Sequence, residues 1–347
     1  MLLGLRMSIA YNKRSKHHAM SRILTPATIL FFLSPAIAEL LSGSAPPAEF
    51  FSPFGFAVMT ALYGSGAVLS RELLQRWRKG WPSLLALGAA YGILEEGLMV
   101  KSFFSPYWED LGILNSYGRW GGVNWVWSVE LTIYHALISI AIPILLVELI
   151  FPAQRHEPWI GRLGFGICTF LLVADTIFGF LAFPYQPSWA LILLTMAVIA
   201  RLIALARVLP AVPFAPREAG PRHPFWFWLT GFGSAVCFFI VFFVLPHTPL
   251  HPLLTIAVGL GIGGLVTFLL LRMSGNGATW RDGHRLALAG GALGFMIALT
   301  PLHELDATRP DNTCGMTLVG LATVAFLMWV WRQVRRGERV SSGSTVG

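Results

Sequence analysis

Two adjacent carboxylates and a histidine lie inside apolar runs long enough to cross a bilayer, and they mark where this 347-residue chain could do chemistry. Glu95 and Glu96 fall in the run 81–104, Glu130, Tyr134 and His135 in 123–150, and Asp175 in 161–183. Glu39, His303 and Glu304 sit near the ends of two further runs. An ionisable group at mid-bilayer costs at least about 2–3 kcal/mol and persists only with a partner or a wet cavity, so each is a candidate functional group. At a helical rise of 1.5 Å, Glu95 and Glu96 lie about 13 Å, Glu130 about 10 Å, His135 about 18 Å and Asp175 about 12 Å below the outer ends of their runs. The acids and the imidazole are therefore expected to share the outer half of the membrane. Helical spacing puts Glu96 on the stripe of Gly88 and Gly92, facing a neighbouring helix, and Glu95 on the face of Tyr91 and Met99. Trp127, Glu130 and Tyr134 share one face, and His135 shares another with Ser128 and Ser139. Two neighbouring carboxylates in low dielectric do not both ionise cheaply, so one is expected to hold a proton while the other serves as a base. The plainer reading of the same residues is a structural Glu–His or Glu–Tyr hydrogen bond between helices.

Those residues need helices to hold them, and the composition supplies them. The chain is 55% hydrophobic and only 12% charged, with a mean hydropathy of +0.65, against about 25% charged residues in a soluble domain. Apolar runs of about 20 residues match a hydrocarbon core of about 30 Å, and the absence of period-2 alternation selects helices over barrel strands. Ten spans are expected: 23–42, 50–70, 81–104, 123–150, 161–183, 187–209, 224–245, 250–272, 286–303 and 314–332. Of the 25 Lys and Arg residues, all but Lys101, Arg119 and Arg309 fall on the same side of this pattern, which places both termini in the cytoplasm. The fold class is thus all-α, a polytopic membrane bundle. It forms one integral membrane domain over 1–347, with a basic N-terminus at 1–22, the bundle at 23–332 and a cytoplasmic tail at 333–347. The formal charge of +8 reads as a topogenic signal facing anionic lipid, and no nucleic-acid partner is expected. The basic leader, apolar stretch and Ala36-Ile37-Ala38 also fit a signal peptide over 1–38. Glycines in 250–272 and 286–303 have the spacing of close helix packing rather than of a phosphate loop.

A family resemblance joins two of these runs. Leu94-Glu95-Glu96, followed by Lys101 and Phe103-Phe104 and then by Ile133-Tyr134-His135, resembles the first two motifs of the CAAX-processing and bacteriocin-immunity family of intramembrane proteases. The resemblance covers about residues 81–140. It implies that Glu95 and Glu96 form the catalytic pair, that His135 is the second-motif imidazole, that Lys101 replaces the family's Arg, and that a Glu with a His activates water for peptide hydrolysis. Lys101 lies five residues after Glu96 where the family has four. No third motif follows, so Asp175 or His303 would have to stand in for it.

Two functions follow for this integral protein of the plasma (inner) membrane. In the first, an intramembrane hydrolase, Glu95 is general base on water, Glu96 and His135 orient it or stabilise the oxyanion, and Lys101 holds charge nearby. In the second, a proton-coupled carrier or lipid-headgroup transporter, Glu95, Glu96, Glu130 and Asp175 titrate as a relay and Arg201 contacts an anionic group from the inner side. Tyr134 and His303 complete the candidate relay. The partners are the bilayer and a membrane-embedded or small-molecule substrate. The three cysteines make neither a disulfide framework nor a metal signature, and neither cofactor nor metal is expected. Outside, 105–127 mixes aromatic and charged residues as a headgroup-level belt or a lid does. In 304–312 an Asp306–Arg309 pair is expected, with Asp311 or Asn312 capping the tenth span.

Overall fold

The computed structural model describes residues 25–218, 220 and 222–343, and among them ten long helices dominate. They are α1 Pro26–Leu41, α2 Pro53–Arg76, α3 81–99, α4 Trp125–Ile150 and α5 Arg162–Ala182. The remaining five are α6 Trp189–Val208, α7 Pro224–His247, α8 Pro252–Met273, α9 Asp282–Leu305 and α10 Met316–Gly343. Each coincides with one expected span. Eight of them are long and apolar enough to cross a membrane. α1 is shorter in its described part, and α3 falls short because it spends two of its positions on Glu95 and Glu96. The basic leader through Arg22 and the start of the signal-peptide reading lie outside the described residues.

Local sequence explains the helix ends. Thr25, Ser52, Asn124 and Ser188 cap α1, α2, α4 and α6 through their side-chain oxygens, and Pro follows directly at the first position of α1 and α2. Large apolar side chains of α5, α6 and α8 face outward, among them Phe170, Leu181, Leu193, Leu260 and Phe268. In water this would be an aggregation hazard, whereas in lipid it is the expected surface.

The inward faces divide into linked cores. One joins α1, α2, α3 and α4 around Leu30, Ala67, Leu84 and Ile144; a second joins α1, α4, α9 and α10 around Leu41, Leu146, Leu293 and Val330. Small residues set the close approaches. A Cβ on Gly88 would lie 2.8 Å from Ala136 Cα, and one on Gly92 would lie 2.8 Å from His135 Cβ, so α3 packs on α4 backbone to backbone. Gly231 of α7 and Gly291 of α9 bring those helices together in the same way, each against a backbone carbonyl of the other.

Around the end of α3 the structure departs from expectation. α3 ends at Met99, because Lys101 adopts a left-handed backbone (φ 61°) that an α-helix does not continue. Glu95 and Glu96 therefore sit within about 6 Å of the end of α3 rather than 13 Å. The chain continues through a buried irregular segment, residues 101–105, whose Phe103 carbonyl accepts from Asn124 N at 2.8 Å. Non-helical backbone at such depth is tolerated because protein surrounds it. Beyond it, a hairpin pairs β1 Arg119–Trp120 with β2 Val123–Asn124. Gly121 and Gly122 make its two-residue turn at φ 63° and 79°. Trp120 stacks on Trp125 at 5.7 Å, and Tyr107 projects outward.

At the opposite end the basic loops meet one another. Lys79 Nζ donates to Leu209 O at 2.9 Å, Arg155 pairs with Asp282 at 2.7 Å, and Arg217 N donates to Gly275 O at 3.0 Å. Arg71 is fully buried there. It donates to the carbonyls of Gln154, Arg155 and Glu157 and lies 3.6 Å from the centre of the Trp159 ring. Glu72, equally buried, accepts from Trp159 N at 2.6 Å. Arg71 thus clamps the loop between α4 and α5 as well as contributing positive charge to this end.

Gly92→Val should lower the unfolding free energy by about 1–3 kcal/mol, as expected of overpacking at a close contact. Gly263→Val is the control, because nothing lies within 4 Å of a Cβ at Gly263. Thermal unfolding of the two variants in detergent measures the difference; equal midpoints would place the α3–α4 contact elsewhere.

Candidate functional site

Four helices approach one another toward one end of the bundle, and each changes from α to π winding where it contributes a polar side chain. The π turns are Ala36–Leu41 with Glu39, Thr60–Gly64 with Tyr63, Leu94–Met99 with Glu95 and Glu96, and His135–Ala141 with His135. An i→i+5 turn adds a residue and rotates the side chains that follow, and such turns concentrate at functional sites. Here they turn polar groups inward from helices that are mostly apolar.

His135 is the hub. Its Nε2 lies 3.0 Å from Glu96 Oε1, and its Nδ1 lies 3.0 Å from Ser139 Oγ and 3.4 Å from Glu95 Oε2. Ser102, on the irregular segment after α3, donates its hydroxyl to Glu96 Oε2 and accepts from Trp127 Nε1 at 3.0 Å. Tyr63 sits between Glu95 Oε1 and Glu39 Oε1, in hydrogen-bond contact with both. A phenol has one hydrogen, so Tyr63 donates to one carboxylate and accepts from the other carboxyl, which must itself carry a proton. Three tyrosine rings enclose the imidazole, with centroids at 6.1 Å (Tyr63), 6.0 Å (Tyr91) and 5.5 Å (Tyr134). Glu95, Glu96 and His135 are 5%, 8% and 2% exposed, so these charges interact through protein rather than through water.

Several buried polar atoms have no hydrogen-bond partner: Glu95 Oε2, Tyr91 Oη, Glu130 Oε2 and Asp175 Oδ2. Buried unsatisfied groups are uncommon in a native fold, and water or an ion is the usual remedy.

The expected site residues separate accordingly. Glu95, Glu96 and His135 come together. Glu130 is buried on α4 but bonds to none of the three, and Asp175 points inward on α5, on a narrow buried stripe with Cys168 and Gly179. Tyr134 donates to Ala38 O at 2.6 Å, tying α4 to α1. Lys101 does not hold charge beside the glutamates. Its ammonium donates to the carbonyls of Phe180 and Phe183, at 2.6 and 2.7 Å, and so closes the C-terminal end of α5. The left-handed backbone at Lys101 sends its side chain to those free carbonyls. Arg201 is exposed on α6 and takes no part in the cluster's hydrogen bonds. His303 stands half-buried under the turn at Gly43, so neither it nor Asp175 supplies the third motif in contact with His135.

The loop 304–315 also departs from expectation. Arg309 pairs with Asp311 at 2.6 Å rather than with Asp306, and it donates to Gly43 O at 2.6 Å, fastening this loop to the end of α1. The guanidinium holds the Asp311 carboxyl below the usual carboxylate range. Glu304 caps α10, accepting from Gly315 N at 3.1 Å and Thr317 N at 2.7 Å. A longer acidic side chain reaching from α9 replaces the local Asx cap read from the sequence, although Asn312 does accept from Cys314 N at 3.1 Å.

The residues missed by sequence reasoning are Tyr63 and Ser102 as partners; Ser139 is already expected on the face of His135, and Glu39 is named without being joined to the cluster. Glu39 was visible as an acid at the end of an apolar run. Tyr63 and Ser102 gave no signal, since one hydroxyl in an apolar or loop context is unremarkable and the π turns leave no mark on periodicity over so few residues.

A bundle of apolar helices with an inward-turned acid and imidazole cluster defines a multi-pass integral membrane protein. The chain belongs to an uncharacterized membrane protein family, whose profile matches residues 28–212. That stretch begins in α1 and runs past the end of α6, and it contains every member of the cluster. The chain is also similar, at 28% identity over 128 residues, to an uncharacterized protein of Archaeoglobus fulgidus; the match covers 37% of this chain and 39% of that relative. No solved structure matches the chain.

Lys101→Met should cost about 1.5–3 kcal/mol, the range for a hydrogen-bonded charged group, through loss of its bonds to the α5 carbonyls. Any activity that depends on Glu95 should persist per folded molecule. A loss of activity far beyond the loss of folded protein, measured by fluorescence-detected size exclusion alongside turnover, would return Lys101 to the site.

Proposed function

We propose that this protein is an intramembrane hydrolase acting on a peptide-like bond, in the manner of the CAAX-processing and bacteriocin-immunity proteases that residues 81–140 resemble. The observation that carries the reading is the state of Glu95: one carboxylate oxygen is fixed by Tyr63 and the other, buried beside His135, bonds to nothing. A carboxylate oxygen oriented by a phenol and left free in a low-dielectric site is placed to take a proton from water. Glu96, with Ser102 and Trp127 behind it, fixes the imidazole. His135 is then positioned to stabilise the oxyanion or protonate the leaving group. The departures from the family pattern remain: the cationic partner points away, and neither Asp175 nor His303 is in contact with His135.

A second reading, a proton-coupled carrier, is favoured by Glu130 and Asp175. These buried carboxylates have free oxygens and make no hydrogen bond to the cluster, as intermediate stations of a relay would. Glu95→Gln separates the two. In a hydrolase it abolishes turnover by several orders of magnitude while Glu130→Gln leaves most of it. In a carrier both changes remove proton coupling. Cleavage of a membrane-embedded fluorogenic peptide in proteoliposomes is the assay, and wild-type turnover in Glu95→Gln would sink the hydrolase reading.

The orientation belongs to this proposal as well, with both termini inside and the plasma membrane as the location, supported by the basic residues gathered at one end. Single cysteines at Asn115, Ser188 and Thr248, in a background without Cys314, should react with an impermeant maleimide from outside intact cells. Cysteines at Ala153 and Ala278 should react only after lysis. All five positions are exposed. Labelling of Ala278→Cys in intact cells would reverse the assignment.

A further inference from the structure

We infer that Glu95, Glu96 and His135 form a binding site for one divalent first-row transition metal ion of the zinc type. One ligand atom from each of the three lies within 4.8 Å of the others, and all three residues are buried. Between the ligand atoms, His135 Nε2 and Glu96 Oε1 lie 3.0 Å apart, close to the separation of about 3.3 Å between ligand atoms around a tetrahedral ion with bonds of about 2.0 Å, and Glu95 Oε2 stands 3.4 Å from the other ring nitrogen, Nδ1. One imidazole and two carboxylates is a ligand set suited to such an ion, and three protein ligands leave a position open for water or substrate.

The outer partners point the same way. Each ligand has one polar atom tied back to the protein: Glu95 Oε1 to Tyr63, Glu96 Oε2 to Ser102, and His135 Nδ1 to Ser139. Each therefore keeps a second atom for the shared centre, namely Glu95 Oε2, Glu96 Oε1 and His135 Nε2. This is how outer hydrogen bonds orient metal ligands and fix a histidine tautomer. Glu95 Oε2 is the independent sign of a missing occupant, being fully buried, without a hydrogen-bond partner and 3.4 Å from the edge of the imidazole at Nδ1. Charge agrees. The structure places no Lys or Arg in the cluster's hydrogen bonds, since Lys101 is engaged at α5. With Glu39 holding the proton that the Tyr63 contacts require, Glu95 and Glu96 carry two negative charges in low dielectric, and a divalent cation balances them. Binding at Nε2 displaces the proton that Nε2 now shares with Glu96 Oε1 and releases it to solvent, while Nδ1–H donates to Ser139, so the hydrogen bond from Nε2 to Glu96 gives way to two metal–ligand bonds.

The ion would deepen the hydrolase reading, since a bound metal activates water and polarises a carbonyl, with Glu95 then serving as ligand instead of base. Binding itself does not depend on that reading, and the test keeps the two apart. Full-length protein in detergent is stripped with a chelator, dialysed, and titrated with Co²⁺ and with Zn²⁺. The expected result is one ion per chain by elemental analysis, a visible Co²⁺ absorption of a low-coordinate N/O site that Zn²⁺ displaces, and a Zn²⁺-dependent rise in the unfolding midpoint. Glu96→Gln and His135→Gln should weaken binding at least tenfold, and Glu95→Gln should do likewise, while the exposed Glu109→Gln should not. Should the His135 variant fail to fold, the wild-type stoichiometry and the two glutamine variants at Glu95 and Glu96 still decide. Absence of stoichiometric binding in wild type, or equal binding in the glutamine variants, overturns the site. Hydrolysis that persists in stripped protein without stoichiometric binding overturns the metal and leaves the hydrolase; stoichiometric binding without hydrolysis of any peptide leaves the metal and removes the hydrolase.

Discussion

The interaction on which the rest of this structure depends is the contact of one imidazole with two carboxylates in a place where water is scarce. His135 alone, or either glutamate alone, would be a large uncompensated cost within an apolar bundle. Together they cancel much of that cost, and the arrangement dictates what surrounds them. α3 and α4 must come close enough for Glu96 to reach His135 at 3.0 Å, so glycines occupy positions 88 and 92, where any side chain would strike α4. The remaining lone pairs must be met by protein, so Ser102, Ser139 and Tyr63 stand at hydrogen-bond distance behind the three charged groups.

Meeting these demands with regular helices is difficult, because a polar face long enough to reach the cluster would also put polar groups against lipid. A π turn solves the problem locally. It redirects one or two side chains and returns to α winding, so Glu39, Tyr63, Glu95 and His135 turn inward while the flanking helix stays apolar. The early end of α3 serves the same purpose. Stopping the helix at Met99 lets the buried segment 101–105 bring Ser102 to Glu96, and it sends Lys101 to the carbonyls of α5.

Much of this was legible in the sequence. Hydropathy alone located all ten helices, since a bilayer imposes length and apolarity more strictly than water does, although the last helix runs on to Gly343 through most of the expected tail, past the apolar run that marked it. The isolated acids named the site, because Glu95, Glu96 and His135 were expensive wherever they stood, and the Gly88–Gly92–Glu96 stripe identified the face that meets α4. What remained hidden depends on three-dimensional reach. Lys101 reads as a counter-charge by proximity in sequence, yet its positive φ turns it to another helix. Arg71 reads as one more topogenic cation, yet it is fully buried against Trp159 and three carbonyls. Glu304 reads as a loop acid and proves to be a cap across a turn. In each case a long side chain reaches a partner that spacing does not specify.

The site is also unevenly distributed along the chain. All its members lie on α1 to α4 and the segment joining α3 to α4, within the stretch that matches the family. The later helices contribute differently. α7 and α9 lock together through Gly231 and Gly291, and α9 and α10 form a core with α1 and α4 around Leu41, Leu146 and Leu293. They brace the outer faces of the helices that carry Glu39 and His135 without adding a group to the cluster. A bundle of this kind needs that bracing. Four π turns weaken the helices that contain them, and the buried charges favour any motion that admits water, so rigid packing behind α1 and α4 is what keeps the imidazole between its two carboxylates.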